Sequence, residues 1–341
     1  MLRFLSLLLL LLLPLSATAD PVEDFYRGKR IRFIVGSAGG GGYESYSRIV
    51  MRVMARYIPG EPSYVIENMP GGGGLLAPNY LFNRSPRDGT EIGMAERAAA
   101  FEPLLNPDKG AAKFDALAFG WIGSPQRETG LVILREPSPI KRFADLKSHE
   151  LIVSGTSRTS APSVYPRVVN ALFGTRFKVV EGYKSSNEAL LAVERGEVEG
   201  HVSGSSSGTL RAQVAPWLAE GKVRLLLQLG LIKDRSLPEV PSITEFVASD
   251  AQRQALELVF AQQTMAWPLL APPGIPAERL AALRAAFART MTDPDFLASA
   301  AQQKLEIHPV SGADIEALLK GVYATPSEIV KHVATLVGPK G

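Results

Sequence analysis

The residues best placed to do chemistry in this chain are glycines and small hydroxyls. Ile31 to Val35 is an apolar run that leads through Gly36-Ser37-Ala38 into Gly39 to Gly42, followed by Tyr43-Glu44-Ser45-Tyr46. A strand passing through glycine into a helix start leaves backbone N–H groups unpaired. The helix dipole adds partial positive charge at that end, so an anion is favoured there. Glycine lets the backbone itself approach the ligand, since no Cβ intervenes. Strand–loop–helix junctions recur at 151–165, 177–190 and 198–212. Several such junctions converging on one cleft would hold a small carboxylate or a similar anion.

Other chemistries are poorly served. No Lys follows the glycines as a P-loop needs, and a dinucleotide loop would require glycine where Glu44 or Ser45 stands. Gly204-Ser205-Ser206-Ser207-Gly208 matches G-x-S-x-G between a strand-like and a helix-like stretch, the setting of a nucleophile elbow built on Ser206. Only His308 and His332 follow as possible bases. A secreted serine hydrolase is therefore the alternative function, although the same serines equally serve a binder as hydroxyl donors. His149, His201, His308 and His332 show no metal-ligand spacing, and cysteine is absent, which removes thiol chemistry and cysteine-based metal sites. No metal or other cofactor is called for. Arg97, Arg158 and Lys184 sit in or beside loops, where each either clamps a carboxylate or stays solvated. A second glycine cluster, Gly71 to Gly74, is read mainly as packing that shapes the cleft, and Trp121, Trp217 and Trp267 as core or lobe-surface residues.

The elements that must position these groups alternate. Apolar runs predict strands near 31–36, 63–67, 90–95, 130–134, 151–154, 177–182, 198–203, 223–229 and 264–271. Helical spacing predicts helices near 44–57, 75–83, 162–173, 187–195, 209–220, 250–261, 276–291, 294–302, 313–323 and 326–336. Such alternation argues for an α/β fold with layers around largely parallel sheets. Ser160 is expected to cap the helix carrying Pro162, and Ser186 the one that Gly196 closes. Pro86-Arg87-Asp88-Gly89 predicts a tight turn. Glu136-Pro137-Ser138-Pro139 and Ala271-Pro272-Pro273-Gly274 each follow an apolar run and mark two crossings between lobes. Lobe one would comprise 20–129 and 266–341, and lobe two 130–265.

Arg3, the leucine run Leu7 to Leu13 and Ala17-Thr18-Ala19 compose a secretory leader with a cut after Ala19, residues 1–19, too short for a spanning helix. The chain is thus expected outside the cytoplasm. Net charge is +3, or +2 once Arg3 leaves with the leader, and the basic residues are scattered among acids, so no nucleic-acid footprint emerges.

A set of short pieces carries a resemblance. They are Tyr26-Arg27-Gly28-Lys29-Arg30-Ile31, Gly39 to Tyr43, Pro59-Gly60, Glu67-Asn68-Met69-Pro70-Gly71 and Ser85-Pro86-Arg87-Asp88-Gly89-Thr90. Further on come Phe119 to Ser124, Gly182-Tyr183-Lys184, Glu194 to Gly200, Leu237 to Ser242 and Ala271 to Pro276. In this order they span the chain beyond the leader, which resembles the periplasmic substrate-binding proteins of tripartite tricarboxylate transporters, the Bug-type receptors. The resemblance implies a type II periplasmic-binding-protein fold, two α/β lobes joined by two crossing strands around a ligand cleft, with the last helices returning to lobe one. It also implies a carboxylate-type solute held by backbone amides and hydroxyls from both lobes, lobe closure, and delivery to membrane subunits of such a transporter. Presentation to a membrane signalling receptor is the second possibility, and a monomer is expected.

The contacts expected from lobe one are Ser37, Ala38, Gly40, Gly41, Tyr43 and Glu44. Those from lobe two are Gly155, Thr156, Ser157, Ser160, Ala161, Tyr183, Lys184, Ser203 and Ser205. Relatives commonly carry aspartate where Glu44 stands and small residues where Arg158 stands, so ligand preference shifts toward a different acid, an amide or an aromatic carboxylate.

Overall fold

The structure is a computed structural model that describes residues 20–337 apart from Gly40, 108–109, Thr159 and 206–207. The expected leader and Ser206, the would-be nucleophile, lie outside the described residues. Among the described residues eleven strands form two sheets. The first holds β1 (Arg30–Val35), β2 (Ser63–Asn68), β3 (Glu91–Met94), β4 (Gly120–Ser124), β10 (Leu269–Ala271) and β11 (Val310–Ser311), in the order β11-β4-β10-β3-β1-β2. The second holds β5 (Gly130–Arg135), β6 (Leu151–Ser154), β7 (Phe177–Val180), β8 (Gly200–Val202) and β9 (Val223–Leu229), in the order β7-β6-β8-β5-β9.

Around the first sheet lie α1 (Pro21–Tyr26), α2 (Gly42–Tyr57), α3 (Leu76–Asn83) and α4 (Glu102–Leu105). The second sheet carries α5 (Ala161–Phe173), α6 (Ser186–Arg195), α7 (Gly208–Ala219) and α8 (Asp250–Thr264). The chain ends with α9 (Ala277–Thr290), α10 (Pro294–Gln302), α11 (Gly312–Tyr323) and α12 (Ser327–Val337). α9 and α10 pack on α2, whereas α11 lies on both β4 and α8, and α12 on α4, α5 and α8. The last helix therefore bridges elements attached to both sheets. A continuous apolar cluster follows the same path, from Ile34, Leu81 and Trp121 to Val153, Val202 and Phe260, through Ile315, Leu319 and Val333.

The expectation of largely parallel sheets is corrected. β1 pairs in parallel with β2 and β3, and β6 with β7 and β8, but β10 runs antiparallel to β3 and β4, β11 to β4, and β5 to β8 and β9. The reason is topological. β1, β3 and β4 end on the side where the chain passes to the second sheet, so β5 and β10, each entering from that side, must run the opposite way.

Local capping matches the sequence within a residue. Gly196 closes α6 in the left-handed region at φ 75°. Its N-cap is Ser185 rather than Ser186: the Ser185 hydroxyl accepts from Glu188 N at 3.2 Å. Ser160 does precede α5, but its Oγ donates to Ser157 O at 2.6 Å and makes no cap bond. The turn at Gly89 has φ 90° and is held by Tyr26, whose hydroxyl donates to Gly89 O at 3.1 Å.

Candidate ligand-binding site

The strand ends bring one set of loops together. Val35 lies beside Met94 in the parallel β1–β3 ladder, so Gly36 and the start of α2 neighbour Ala95-Glu96-Arg97. Leu269 pairs with Met94 from the other direction, which sets Trp267 beside the same residues, with Ala95 N donating to Pro268 O at 3.2 Å. The chain crosses between the sheets at 125–129 and 265–268, not at 136–139 or 271–274 as expected, because those prolines follow β5 and β10 after each crossing is complete. The crossings meet through Ala266 N to Gln126 O at 3.3 Å, and Glu128 N donates to Gln263 O of α8 at 2.8 Å. In the second sheet Ser203 N donates to Leu131 O at 2.9 Å, so the loop after β8 sits against the start of β5. Ligands of open α/β sheets bind outside the carboxyl ends of strands, and here two such edges face each other.

Between them lies a cavity of about 390 Å³. The first-sheet side contributes Tyr43, Glu96, Arg97, Glu128 and Trp267. The second-sheet side contributes Ala161 and Pro162 from the start of α5, Ser186, Asn187 and Leu190 from α6, His201 and Ser203 to Ser205, and Leu210 and Gln213 from α7.

The first wall is aromatic and charged. The Trp267 indole meets the Tyr43 ring edge-on at 4.5 Å and stacks on Tyr46 at 4.7 Å. Tyr43 Oη accepts from Arg97 N at 2.9 Å and is hydrogen-bonded to the Glu96 carboxylate. Arg97 forms an ion pair with Glu128. Burial opposes the Arg97 charge, but Glu128 above all, with Tyr165 and Tyr43, holds its pKa above the ordinary guanidinium range. Burial raises the Glu96 carboxyl, while Tyr43 and Arg97 pull it back. Trp267 Nε1 is buried and has no hydrogen-bond partner among the described residues.

Among the described residues the second wall is neutral. His201 is 1% exposed, and burial pushes its pKa down to about 4, so the ring is uncharged at neutral pH. Its Nδ1 lies 2.9 Å from Ser154 Oγ, which donates its one proton to Ala189 O at 2.7 Å. His201 Nδ1 is then the donor and Nε2 an acceptor. The starts of α5 and α6 point partial positive charge at this side.

Of the residues expected from the sequence, Tyr43, Ala161, Ser203 and Ser205 line the cavity. Ser203 Oγ also accepts from Leu131 N at 2.9 Å, stitching β8 to β5. The rest are placed elsewhere. Ser37 O accepts from Asn68 Nδ2 at 3.0 Å, Ala38 and Gly41 are exposed, and Gly40 lies outside the described residues. Glu44 pairs with Arg48 along α2. Gly155 N donates to Val180 O, Gly182 N to Thr156 O, and Ser157 joins Ser160, so this loop is tied to itself and to its neighbour. Tyr183 Oη meets Glu197 Oε2 at 3.5 Å, and Lys184 N donates to Glu188 Oε2 at 2.9 Å. Arg97, flagged as a possible clamp, does line the cavity and is paired there with Glu128. Glu96, Glu128, Asn187, His201 and Trp267 were not singled out as ligand contacts, because no local motif marks them; Ser186, at a predicted helix start, had such a signal. His308 and His332 do not line this cavity. Of the second glycine cluster, Gly74 packs, since a Cβ there would fall 2.7 Å from Glu96 Cγ, while Gly71 to Gly73 are exposed. Among the described residues no group of three or more His, Asp or Glu could hold a metal ion, and no helix is long and apolar enough to cross a membrane.

Residues 48–334 match the model of the tripartite tricarboxylate transporter family receptor, TctC. The chain belongs to this family. TctC receptors are periplasmic solute-binding proteins. A protein of Cupriavidus necator described as a UPF0065 protein in the gbd 5' region is 25% identical over 304 residues, covering 86% of this chain and 83% of the relative. The fold is that of a TctC solute-binding protein from Polaromonas, solved without ligand, with TM-score 0.71, 18% identity, and coverage of 90% of this chain and 99% of that one. An R. palustris protein solved with adipate superposes with TM-score 0.57 at 19% identity, covering 90% of this chain and 97% of that one.

Proposed function

We propose that this TctC receptor captures a small carboxylate-type solute in the cavity between its sheets and delivers it to the membrane subunits of a tripartite tricarboxylate-type transporter. The observation that carries the reading is the cavity itself, walled by strand ends of both sheets and faced by the starts of α5 and α6. Loss of the leader after Ala19 would release the mature protein, as a monomer, into the periplasm. Lobe one (20–129 and 266–341) and lobe two (130–265) would close on the solute about segments 125–129 and 265–268, with α12 bridging them on the far side. The adipate held by a structural relative supports the ligand class.

The test is a thermal-melt screen of residues 20–341, unfolded and refolded to strip carried ligand, against mono-, di- and tricarboxylates, aromatic acids, amino acids and amides. A ligand at about a hundred times its dissociation constant stabilises the fold by ~2.7 kcal/mol, an easily read shift. A rise confined to carboxylates supports the reading; a folded protein that responds to no carboxylate sinks it.

A further inference from the structure

The cavity is electrically two-sided. Among the described residues the lining side chains on the second-sheet side are neutral, and the backbone amides of Ala161, Ser186 and Asn187 belong to the first turns of α5 and α6, where N–H groups have no partner within the helix. That side suits one carboxylate. On the first-sheet side the ionisable groups are Glu96, Arg97 and Glu128, and Arg97 is already paired with Glu128. Glu96 therefore leaves this half with an excess negative charge. The rings of Tyr43 and Trp267 stand in the same wall, one face of the indole being covered by Tyr46, and bring no charge of their own to offset Glu96. His201 adds an acceptor and no charge.

We infer that the solute carries one carboxylate and one protonated amine, an amino-acid-like zwitterion, with its carboxylate at the starts of α5 and α6 and its ammonium against Glu96 and the Tyr43–Trp267 wall. A dicarboxylate is disfavoured by the same geometry. Its second carboxylate would approach Glu96, and Arg97, whose charge Glu128 already offsets, would give it little net compensation. The inference rests on the receptor reading above and narrows the solute class within it.

The experiment is isothermal titration of the ligand-stripped protein with matched pairs: 4-aminobutyrate against succinate, 6-aminohexanoate against adipate, and a set of α-amino acids against the diacids of the same length. At least one zwitterion should bind tenfold or more tightly than its diacid. Diacids binding as tightly or more tightly throughout would overturn the inference while leaving the receptor reading intact. A folded protein binding no carboxylate of either kind would remove both. Glu96→Gln keeps an oxygen for Tyr43 and removes only the charge. It should weaken the zwitterion about tenfold and leave or improve diacid binding. An equal loss for both, or no change in their ratio, would show that Glu96 does not read the ammonium.

Discussion

The Trp267 indole lies directly against Gly42, the first residue of α2: a Cβ at Gly42 would fall 2.5 Å from Trp267 Cη2. Glycine at this helix start is thus required by an aromatic neighbour, a demand separate from any anion. The ring both packs on the start of α2 and forms the cavity wall, whereas the loop residues Ala38 and Gly41 are exposed and do not line the cavity.

Gly42→Ala must displace the indole and is expected to cost about 1–3 kcal/mol of stability, with a loss of ligand affinity because the wall moves. Trp267→Leu should also weaken binding, but in the double variant the alanine has room. A double-mutant cycle read by urea melts should therefore show a smaller combined cost than the sum. Strict additivity would mean the two residues do not press on each other.

His201 makes stability depend on pH. Its folded pKa is depressed from 6.5 to about 4 by burial, so below 6.5 the unfolded chain binds more protons than the folded one. Stability is fully present above about 6.5, falls as pH drops toward 4, and loses about 3 kcal/mol in all across that window. Urea titrations between pH 5 and 6.5 should show this slope, and His201→Gln should flatten it. An unchanged slope in the variant would assign the dependence to other groups.

The sequence made the alternation of elements legible because apolar spacing is local. α10 lies at 294–302, where the spacing set it, and β6 at 151–154. β4 was missed as a strand because Gly120 and Gly123 dilute its pattern. The Ser185 cap was present as the spacing Ser185-x-x-Glu188, yet two adjacent serines made the choice ambiguous without geometry. Strand direction was not legible, since it depends on which edge the chain enters from. Nor was the charged wall: Glu96 lies two residues past β3, Glu128 lies in a crossing segment and Trp267 precedes another strand, so only the folded topology joins them.

Gly123 illustrates a packing demand invisible to spacing. A Cβ there would fall 2.3 Å from Phe287 Cε1, in the helix that covers β4. Phe287 is 3% exposed and has little room to move. Gly123→Ala should destabilise by about 1–3 kcal/mol, measurable as a lower urea midpoint at unchanged slope. Phe287→Leu in the same chain should recover part of the loss; no recovery would place the strain in the backbone.

The Arg97–Glu128 pair joins the stability of the site to its selectivity. Glu128 is 11% exposed in its side chain and Arg97 27%, so neither charge is well solvated if the other is removed. Glu128→Gln should lower stability by about 1–2 kcal/mol, the discounted cost of leaving a half-buried cation unpaired. The same change frees Arg97 to face the solute. Diacid affinity should then rise relative to that of the matched zwitterion, in the direction opposite to any loss from Arg97→Met. A fall in stability with the two affinities keeping their ratio would mean that Arg97 does not reach the ligand, and that the pair serves only to hold the crossing segment against β3.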